Sequence, residues 1–471
     1  MTPESVLEIF KEITRIPRES GHEGPMTEYL CNWAKARSLE CKVDATGNVC
    51  IAKAASAGKE KVPTIVLQAH QDMVCEKTPG FEMDFRKDPI PYEIEDGWMV
   101  SKNTTLGADD GIGIAACLAL LDNDAPMGRV ECVFTISEET GMDGAFAMES
   151  GFFEGKTLIN LDSEDEGQLF IGCAGGEHSD AYFKFEKVPV AEGAKAVELT
   201  VSGGIGGHSG DDINKHRANA VKILADFLAS QEDYQLVSFA GGGKPNAIAR
   251  DCSAVIAGLH ADVIAANFEA YGKIVCAAYS STEPALKFSS SAVKADSAID
   301  DDSAYNLISA LSTVPHGVVW MSPDIAGLVQ TSTNLAAVKL VEPDTIKVLT
   351  SQRSSVVEEL DIIVDEVSSI FREAGAEVDN NNRYPGWTPN LKSPILEKSV
   401  ASYRKLFGED PLVLAIHAGL ECGLFLEKFP DLDMISFGPT LRGVHAPGEK
   451  LELASMERFV KLLDDIVCNF E

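Results

Sequence analysis

Two adjacent carboxylic acids follow a mostly apolar segment in the first half of the chain. Residues 130–136 have the composition of a buried strand, and Glu138 and Glu139 come after one serine. Like charges placed side by side in a low-dielectric environment raise each other's pKa, so a buried strand seldom ends in two carboxylates. A metal ion is the usual positive charge that makes such a pair favourable. Taken alone, the two acids could also mark the point where the strand reaches water.

Two other apolar segments lead into residues that commonly bind metals. Residues 62–69 precede His70 and Asp72, and residues 157–161 precede Asp162. Both segments have the length and composition of short buried strands. The repetition of this pattern favours a shared site over three separate strand ends that happen to be acidic.

Asp109 and His445 provide two more ligand-type side chains. Asp109 begins an apolar helix that ends near Leu121. A carboxylate at the N-terminus of a helix is favourable in itself, so Asp109 could also be a simple N-cap. His445 lies in a loop after a strand-like segment, 433–439. Strands that alternate with helices predict a mainly parallel α/β sheet. Because ligands bind beyond the carboxyl ends of such strands, we expect these side chains to converge there.

The expected cluster has the composition of a centre for two metal ions. Its members are His70, Asp109, Glu139, Asp162 and His445. Two imidazoles and three carboxylates suit two Zn²⁺ ions, with one carboxylate bridging. Two ions about 3.5–4 Å apart can hold a shared hydroxide and polarise a carbonyl group. The cluster therefore predicts a metal-dependent hydrolase.

Two further acids have predicted roles beside the metals. Adjacent residues point in different directions, so Glu138 is not expected to bind a metal if Glu139 does. Glu138 is instead predicted to be the general base, which takes the proton of the attacking water and passes it to the leaving amine. Asp72 follows His70 by two residues, on the same face of an extended chain, and is predicted to accept the other ring N–H and fix the tautomer.

Composition excludes several classes of protein. The chain has 471 residues, 45% of them hydrophobic, and a formal net charge of −33, which argues against binding to nucleic acid or to an anionic membrane. No apolar segment reaches the roughly eighteen residues of a membrane span, and the N-terminus shows no signal peptide. The eleven cysteines include no Cys-x-x-Cys pair, which predicts reduced thiols in a cytoplasmic protein.

The character of the sequence changes twice, which predicts an inserted domain. Between residues 183 and 387, β-like segments alternate with amphipathic helices, and no metal-ligand set is evident. We therefore predict an α/β catalytic domain formed by residues 1–182 and 388–471, interrupted by an α+β domain formed by residues 183–387.

Motifs along nearly the whole chain resemble a known superfamily. His70-x-Asp72, Gly107-x-Asp109, Glu138-Glu139, Asp162 and His445 look like the di-zinc metallopeptidases that include aminoacylase, carnosinase and peptidases T and V. Longer strings resemble the branch of bacterial aminoacyl-histidine dipeptidases (peptidase D): VLQAHQDMV, TTLGADDGIG, EETGMDGAF, CAGG, GGHSG, YPGW and HAGLECGLF. Many superfamily members have Asp-x-Lys-Gly where this chain has Asp109-Asp110-Gly111. This difference agrees with the dipeptidase branch and weakens inferences from the deacylases.

The resemblance implies a role for each metal-type residue. It implies that His70 and Asp162 hold one zinc, that Glu139 and His445 hold the other, and that Asp109 bridges them before a cis peptide bond to Asp110. It also implies Glu138 as the general base, two Zn²⁺ per subunit that Mn²⁺ or Co²⁺ can replace, and a homodimer.

Five residues outside the metal set are candidates for contact with the substrate. His208 of GGHSG matches the histidine that the family uses to stabilise the tetrahedral oxyanion, although it could be an ordinary loop histidine. Asn246 and Arg353 match substrate-binding positions of the family's lid domain, and an arginine suits a substrate carboxylate because its fork binds both oxygens. Glu421 lies in a string similar to one near the family's site, as does His417, and packing explains both of them equally well.

These observations together predict a cytosolic di-zinc dipeptidase. Its expected substrates are small peptides, preferably Xaa-His dipeptides such as β-alanyl-histidine, with a lid domain that closes over them. One alternative is a related di-zinc exopeptidase or N-acyl amino acid deacylase, which would share the metals and differ in specificity. A second is a non-catalytic binding protein on the same fold. A di-metal phosphatase is disfavoured because the sequence has no phosphate-binding glycine-rich loop with lysine.

Overall fold

A computed structural model describes all 471 residues. The helices are α1 (Pro3–Ile13), α2 (Gly24–Ala36), α3 (Ala108–Leu121), α4 (Glu138–Gly141), α5 (Asp143–Ala147), α6 (Ala220–Ala229), α7 (Ala261–Ala278), α8 (Asp301–Thr313), α9 (Val357–Glu373), α10 (Pro394–Phe407), α11 (Glu421–Lys428) and α12 (Leu453–Cys468). The strands are β1 (Glu40–Val43), β2 (Val49–Lys53), β3 (Ile65–His70), β4 (Glu93–Glu95), β5 (Trp98–Val100), β6 (Val130–Thr135), β7 (Thr157–Asn160), β8 (Gln168–Cys173), β9 (Gly175–Lys184), β10 (Lys187–Pro189), β11 (Lys195–Ser202), β12 (Gln235–Gly242), β13 (Cys252–Gly258), β14 (Lys287–Val293), β15 (Ser297–Ile299), β16 (Gly317–Met321), β17 (Val329–Glu342), β18 (Thr345–Ser354), β19 (Glu377–Tyr384), β20 (Leu412–Ile416), β21 (Asp433–Ser436), β22 (Leu441–Arg442) and β23 (Lys450–Glu452). None of the helices is both long and apolar enough to cross a membrane.

The chain divides into two compact units. The first unit is formed by Met1–Gly172, Thr388–Ala415 and Leu420–Glu471, and the second by Cys173–Trp387 and Ile416–Gly419. The boundary predicted from the sequence lies after residue 182 instead of 172. The difference arises from β9, which pairs along its length with β18 and with β19 and so belongs to the second unit.

The first unit has an eight-stranded sheet in the order β1-β2-β6-β3-β7-β21-β8-β20. The four central strands, β6, β3, β7 and β21, run parallel. Antiparallel pairs flank them, β1 with β2 and β2 with β6 on one side and β21 with β8 on the other. The parallel part of the sheet is thus limited to its centre, and its strand ends form one edge where side chains can meet.

Burial explains why the central elements form where they do. Every residue of β3 and of β6 is buried, as expected for strands covered on both faces. Helix α3 is also buried along its whole length. Helix α1 begins at Pro3 with Thr2 as its N-cap, and it buries Val6, Phe10 and Ile13. The apolar helices and strands of the sequence therefore form the core that holds the strand ends in place.

Glu138 and Glu139 do not end a strand, contrary to the sequence analysis. Strand β6 ends at Thr135, Ser137 adopts a left-handed conformation with φ of 53°, and the two glutamates begin the short helix α4. Their backbone N–H groups donate to the carboxylate of Asp72, at 3.0 Å from Glu138 and 3.3 Å from Glu139. A carboxylate at a helix N-terminus is favourable, and this contact stabilises the turn.

The second unit is an α+β domain. Its nine-stranded sheet has the order β14-β11-β13-β12-β17-β18-β9-β19, with β16 paired to β17. Helices α6, α7, α8 and α9 supply the apolar faces of its core, for example through Leu224, Phe268, Leu311 and Phe371, which are fully or almost fully buried. The unit has its own hydrophobic core and sheet, as predicted for an inserted domain.

Candidate functional site

Three ligand-type side chains lie together at the carboxyl ends of β3 and β7. His70 is the last residue of β3 and is fully buried. Its Nε2 atom lies 2.9 Å from Oδ1 of Asp109 and 3.5 Å from Oδ1 of Asp162. Asp162 follows β7 by two residues, and Asp109 lies in the first turn of α3. The parallel pairing of β3 with β7 explains this proximity, because it aligns the two strand ends.

His445 approaches Asp109 from the opposite side. Its Nε2 atom lies 3.0 Å from Oδ2 of Asp109 and 2.9 Å from Oε2 of Glu139. The two oxygens of Asp109 therefore face different imidazoles, Oδ1 that of His70 and Oδ2 that of His445. This is the arrangement expected of a carboxylate shared by two sites. The peptide bond between Asp109 and Asp110 is cis, as the family resemblance implied.

The side chains at this edge fit a cation. Ligand atoms of His70, Asp109 and Glu139 lie within 4.8 Å of one another, as do those of His70, Glu138 and Asp162. Oε1 of Glu139 is buried without a hydrogen-bond partner, which is costly unless a positive group contacts it. Imidazole and carboxylate groups are the donors that zinc accepts. The second group includes Glu138, so proximity alone would allow Glu138 to be a ligand.

Electrostatics at this site also favour a cation. Burial on its own lowers the pKa of His70, but Asp162, Asp109 and Asp72 outweigh it and raise this pKa well above the usual value. Hydrogen bonds to Asp109 and Glu139 raise the pKa of His445 to about 11. The carboxylates thus hold protons on both imidazoles, and a divalent cation would compete with those protons for the same atoms.

Asp72 joins the histidine to the turn that holds the two glutamates. Its Oδ1 atom lies 3.3 Å from Nδ1 of His70, and Ser20 Oγ donates to its Oδ2 at 2.7 Å. Burial opposes the ionised form, yet these contacts and the N–H group of Glu138 lower the pKa of Asp72 to about 2. Asp72 is therefore ionised, and it orients both His70 and the start of α4.

Two other carboxyl groups near the site, those of Glu138 and Glu421, have raised pKa values. Burial, together with the charges of Asp109 and Glu139, raises the pKa of Glu138 to about 7. Burial and the charge of Glu138 raise the pKa of Glu421 to about 8. Glu421 accepts hydrogen bonds through Oε2 from Gln68 at 2.6 Å and from Thr135 at 2.9 Å, and its Oε1 has no partner. Glu421 is therefore held at β3 and at the end of β6 through one oxygen, and its other oxygen has no hydrogen-bond partner.

His208 and Asn246 lie close to each other in the second unit. His208 forms an isolated β-bridge with Ala247, and the N–H group of Ser209 donates to the carbonyl of Asn246 at 2.9 Å. Nδ1 of His208 accepts from the N–H group of Gly210 at 3.2 Å, which leaves the ring proton on Nε2. Burial, followed by the charge of Arg353, lowers the pKa of His208. A neutral imidazole with an N–H group is thus available on this loop.

Arg353 and His417 are buried neighbours of this loop in the second unit. Arg353 lies on β18, is 8% exposed, and has no hydrogen-bond partner for Nε. Nε2 of His417 lies 2.7 Å from Oγ of Ser332, and its Nδ1 has no partner. Burial, then Arg353 and His208, lower the pKa of His417 to about 3. Buried polar atoms without partners are uncommon, and they indicate a place where a ligand can supply the missing hydrogen bonds.

Three charged residues that the sequence analysis did not select also contact the loops of the first unit. Oε1 of Glu23 accepts from the N–H and hydroxyl groups of Ser137, both at 3.1 Å. Arg18 and Glu449 hydrogen-bond to the backbone beside Asp72 and Asp109. Arg18 and Glu23 lie far from the motifs in sequence, and Glu449 lies four residues after His445. None of the three follows a spacing rule, so only the folded chain identifies them.

Comparisons with known proteins identify the family and the fold of the chain. The model of "Peptidase family M20/M25/M40" matches residues 66–469. The cytosol non-specific dipeptidase of Escherichia coli (strain K12) is 36% identical over 479 residues, which cover 99% of this chain and 98% of that protein. The crystal structure of aminoacylhistidine dipeptidase from Vibrio alginolyticus has a TM-score of 0.93 and 36% identity, over 100% of this chain and 97% of that one. Aminopeptidase PepT from Bacillus cereus, 17% identical over 99% and 98% of the two chains, has a TM-score of 0.59 and shows the same fold. The predicted mixed α/β fold and the predicted resemblance are both confirmed.

Proposed function

The chain belongs to peptidase family M20/M25/M40 and is a hydrolase of peptide bonds, and we propose that it is a metal-dependent dipeptidase that prefers Xaa-His substrates, including β-alanyl-histidine. The names of the two relatives that match nearly the whole chain support this specificity, since one is a non-specific dipeptidase and the other an aminoacylhistidine dipeptidase. The single observation that carries the proposal is the shared carboxylate of Asp109, with one oxygen toward each imidazole.

We assign the metal centre to five side chains of the first unit. His70 and Asp162 would hold one Zn²⁺, Glu139 and His445 would hold the other, and Asp109 would bind both; Mn²⁺ or Co²⁺ can replace zinc. Bound metal ions would polarise the scissile carbonyl group and lower the pKa of water at the site. The unpartnered Oε1 of Glu139 and the short contacts between the imidazoles and carboxylates support this assignment.

Glu138 is the proposed general base and Asp72 the residue that orients His70. A carboxylate beside the metal ligands can accept a proton from water and pass it to the leaving amine. Glu138 lies on the same helical turn as Glu139, and that turn is held by hydrogen bonds to Asp72. The same carboxylate of Asp72 contacts Nδ1 of His70 and favours the tautomer with Nε2 available to a metal.

We propose that three residues of the second unit and Glu421 bind the substrate. The neutral imidazole of His208 would donate from Nε2 to the developing oxyanion, which is the usual role of such a donor. Arg353, with its unpartnered Nε, would bind the terminal carboxylate. The exposed side chain of Asn246 and the unpartnered Oε1 of Glu421 would hydrogen-bond to the peptide.

Two alternatives remain open to test. A tripeptidase, carboxypeptidase or N-acyl amino acid deacylase would use the same metal centre and differ only in substrate length and end groups. A non-catalytic binding protein would lack a functional ligand set, and here all five ligand residues and Glu138 are present. We also propose a cytosolic location and a homodimer; the name of the E. coli relative supports the location.

A panel of substrates tests the proposal. Zinc-loaded protein would be assayed on β-alanyl-histidine, glycyl-histidine, glycyl-leucine, a tripeptide ending in histidine and an N-acetyl amino acid. We expect the histidine dipeptides to be hydrolysed fastest, and we expect Glu138→Ala to lose about 10²–10⁴-fold in rate while it still binds zinc. Turnover of the tripeptide or the acetylated substrate instead would move the protein to another branch. Absence of any turnover that depends on Glu138 would overturn the assignment as a peptidase.

A further inference from the structure

Arg18 is an unusually buried arginine. It follows helix α1, is 2% exposed, and points into the first unit. Nη1 donates to the carbonyl of Asp72 at 2.5 Å and to that of Gln71 at 3.2 Å, and Nη2 donates to the carbonyl of Gly107. Removal of a guanidinium from water is costly, and three backbone carbonyl groups compensate part of that cost here.

The carbonyl groups that Arg18 binds belong to two separate ligand loops. One loop follows His70, the last residue of β3, and includes Asp72, and the other leads into the first turn of α3, where Asp109 lies. One planar guanidinium therefore connects the two loops through their backbone carbonyl groups. The connection is tight, because a Cβ atom at Gly107 would lie 2.5 Å from Nη2 of Arg18, and one at Gly111 would lie 2.7 Å from it. A larger residue at either position would have to displace the guanidinium of Arg18.

Glu449 holds the second of these loops from another direction. Its carboxylate is buried and accepts hydrogen bonds from four consecutive N–H groups, those of Leu106 at 2.7 Å, Gly107 at 3.0 Å, Ala108 at 2.7 Å and Asp109 at 3.4 Å. Glu449 follows His445 by four residues, so it also connects the His445 loop to the Asp109 loop. The peptide unit between Gly107 and Ala108 is thus bound through the C=O of Gly107 by Arg18 and through the N–H of Ala108 by Glu449.

We propose that Arg18 is a positioning residue for the metal centre, and that together with Glu449 it fixes the separation of His70, Asp109 and His445. The inference rests on the proposed function, because it assumes that these side chains hold metal ions. Metal ligands bind tightly when their geometry is set before the ion arrives, and loss of an outer partner commonly reduces metal affinity or activity about 10–100-fold. The fork of an arginine suits this role, since its two nitrogens contact two loops at once, whereas a lysine is a single point donor.

Metal affinity is the measurement that tests this role. The zinc dissociation constant of the full-length protein would be obtained by competition with a chromogenic chelator, and thermal melting of the metal-free protein would report folding. We expect Arg18→Met to weaken zinc binding about 10–100-fold, and Arg18→Lys to have an intermediate effect. With dipeptide substrates at limiting zinc, kcat should fall while KM stays within about twofold, and excess zinc should restore most of the activity.

Arg129→Met is the matched control. Arg129 forms ion pairs with Glu40 and Glu131 near the start of β6 and contacts no ligand loop. Its loss should change thermal melting without changing the zinc affinity. A purely structural role for Arg18 would produce the same pattern, with lower melting and unchanged affinity, and that result would overturn the inference.

Glu449→Gln gives a second route if Arg18→Met does not fold. An amide in that position would turn its NH2 group toward backbone donors, so zinc affinity should fall. In the double variant with Arg18→Lys the two losses should be non-additive, since both residues bind the peptide unit between Gly107 and Ala108. Additive losses would overturn the shared action. Absence of zinc binding by the wild-type protein would overturn the proposed metal centre itself, whereas tight wild-type binding with unchanged variants would overturn the role of Arg18 alone.

Discussion

The histidines of the two units have opposite electrostatic environments. In the first unit, His70 and His445 lie against carboxylates, and the pKa of each is raised, that of His445 to about 11. In the second unit, burial lowers the pKa of His316 to about 4, and burial together with Arg353 lowers that of His417 to about 3. The same residue type is therefore surrounded by negative charge in one unit and is kept neutral in the other.

The two electrostatic environments suit different ligands. In the first unit several carboxylates give net negative charge around the two imidazoles, which suits a cation that replaces the ring protons. Neutral imidazoles beside a buried arginine present hydrogen-bond donors and one positive charge, which suits an anion or the polar groups of a peptide. The predictions that follow test whether each unit depends on the charge that distinguishes it.

Asp109→Asn should have the largest effect, because it removes the carboxylate that the two imidazoles share. An asparagine offers one oxygen and no charge, so it cannot serve both sides. We expect zinc affinity to fall by more than the roughly 10–100-fold that loss of an outer partner costs, and peptidase activity to be lost. Metal content measured after dialysis checks the prediction.

Asp122→Asn is the control for this variant. Asp122 is the C-cap of the same helix, α3, and forms an ion pair with Arg37 at 2.9 Å. It should retain metal and activity. If Asp109→Asn kept two equivalents of zinc after dialysis, the proposed bridging role would be wrong, and the first unit would not need its shared carboxylate.

Arg353→Met should have a smaller effect, confined to substrates with a free carboxylate. A hydrogen bond to a charged group contributes about 1.5–3 kcal/mol, which predicts a loss of about 10–150-fold in kcat/KM. Zinc affinity should not change. The measurement compares glycyl-histidine with its C-terminal amide on both proteins. Arg353→Met and the wild type should hydrolyse the amide at similar rates, and an equal loss on both substrates would contradict carboxylate binding.

Arg250→Met is the matched control for Arg353→Met. Arg250 also belongs to the second unit, where its Nε donates to the carbonyl of Gly204 at 3.0 Å. It has a backbone partner, whereas Nε of Arg353 has none. We expect Arg250→Met to leave the preference for a free carboxylate unchanged.

The sequence predicted the fold class because the signals that determine it are local. Apolar strands that alternate with helices indicated an α/β fold with a mainly parallel sheet. The comparisons confirm the α/β fold, and parallel pairing is limited to the four central strands. His70 and Asp162 were expected to meet because parallel strands end at the same edge, and the structure brings them within 3.5 Å. The left-handed Ser137 was not predictable, since serine rarely adopts this conformation. The helical turn of the two glutamates was missed for that reason.

The residues that hold the loops were beyond the reach of sequence patterns. Arg18 and Gly107 are 89 positions apart, and Glu449 and Asp109 are 340 apart. Each contact is made between one charged side chain and a backbone group, so no periodicity or spacing in the sequence predicts it. Motifs identify side chains that do chemistry, whereas the groups that position them appear only when the chain is folded.

His316 gives the smallest predicted effect, and it tests the neutral character of the second unit. Its Nδ1 accepts from the N–H group of Leu335 and from the amide of Asn219, both at 3.3 Å, and a proton on Nδ1 would remove both bonds. Burial and the charge of Lys222 lower its pKa from 6.5 to about 4. Between pH 6.5 and about 4 the unfolded chain therefore binds more protons than the folded chain, so stability should fall as pH falls.

The expected loss of stability across this pH range is about 2–3 kcal/mol. It would be measured by urea unfolding of the metal-free protein at pH 7 and at pH 4.5. His316→Gln, whose side-chain oxygen can accept the same bonds, should lose less stability on acidification, whereas the exposed His260→Gln should behave like the wild type. If His316→Gln showed the full wild-type dependence, the acid sensitivity would come from other groups. The neutral character of the second unit would then be supported only by His208 and His417, whose pKa values are lowered by burial and by Arg353. Arg353 is the residue proposed to bind the substrate carboxylate.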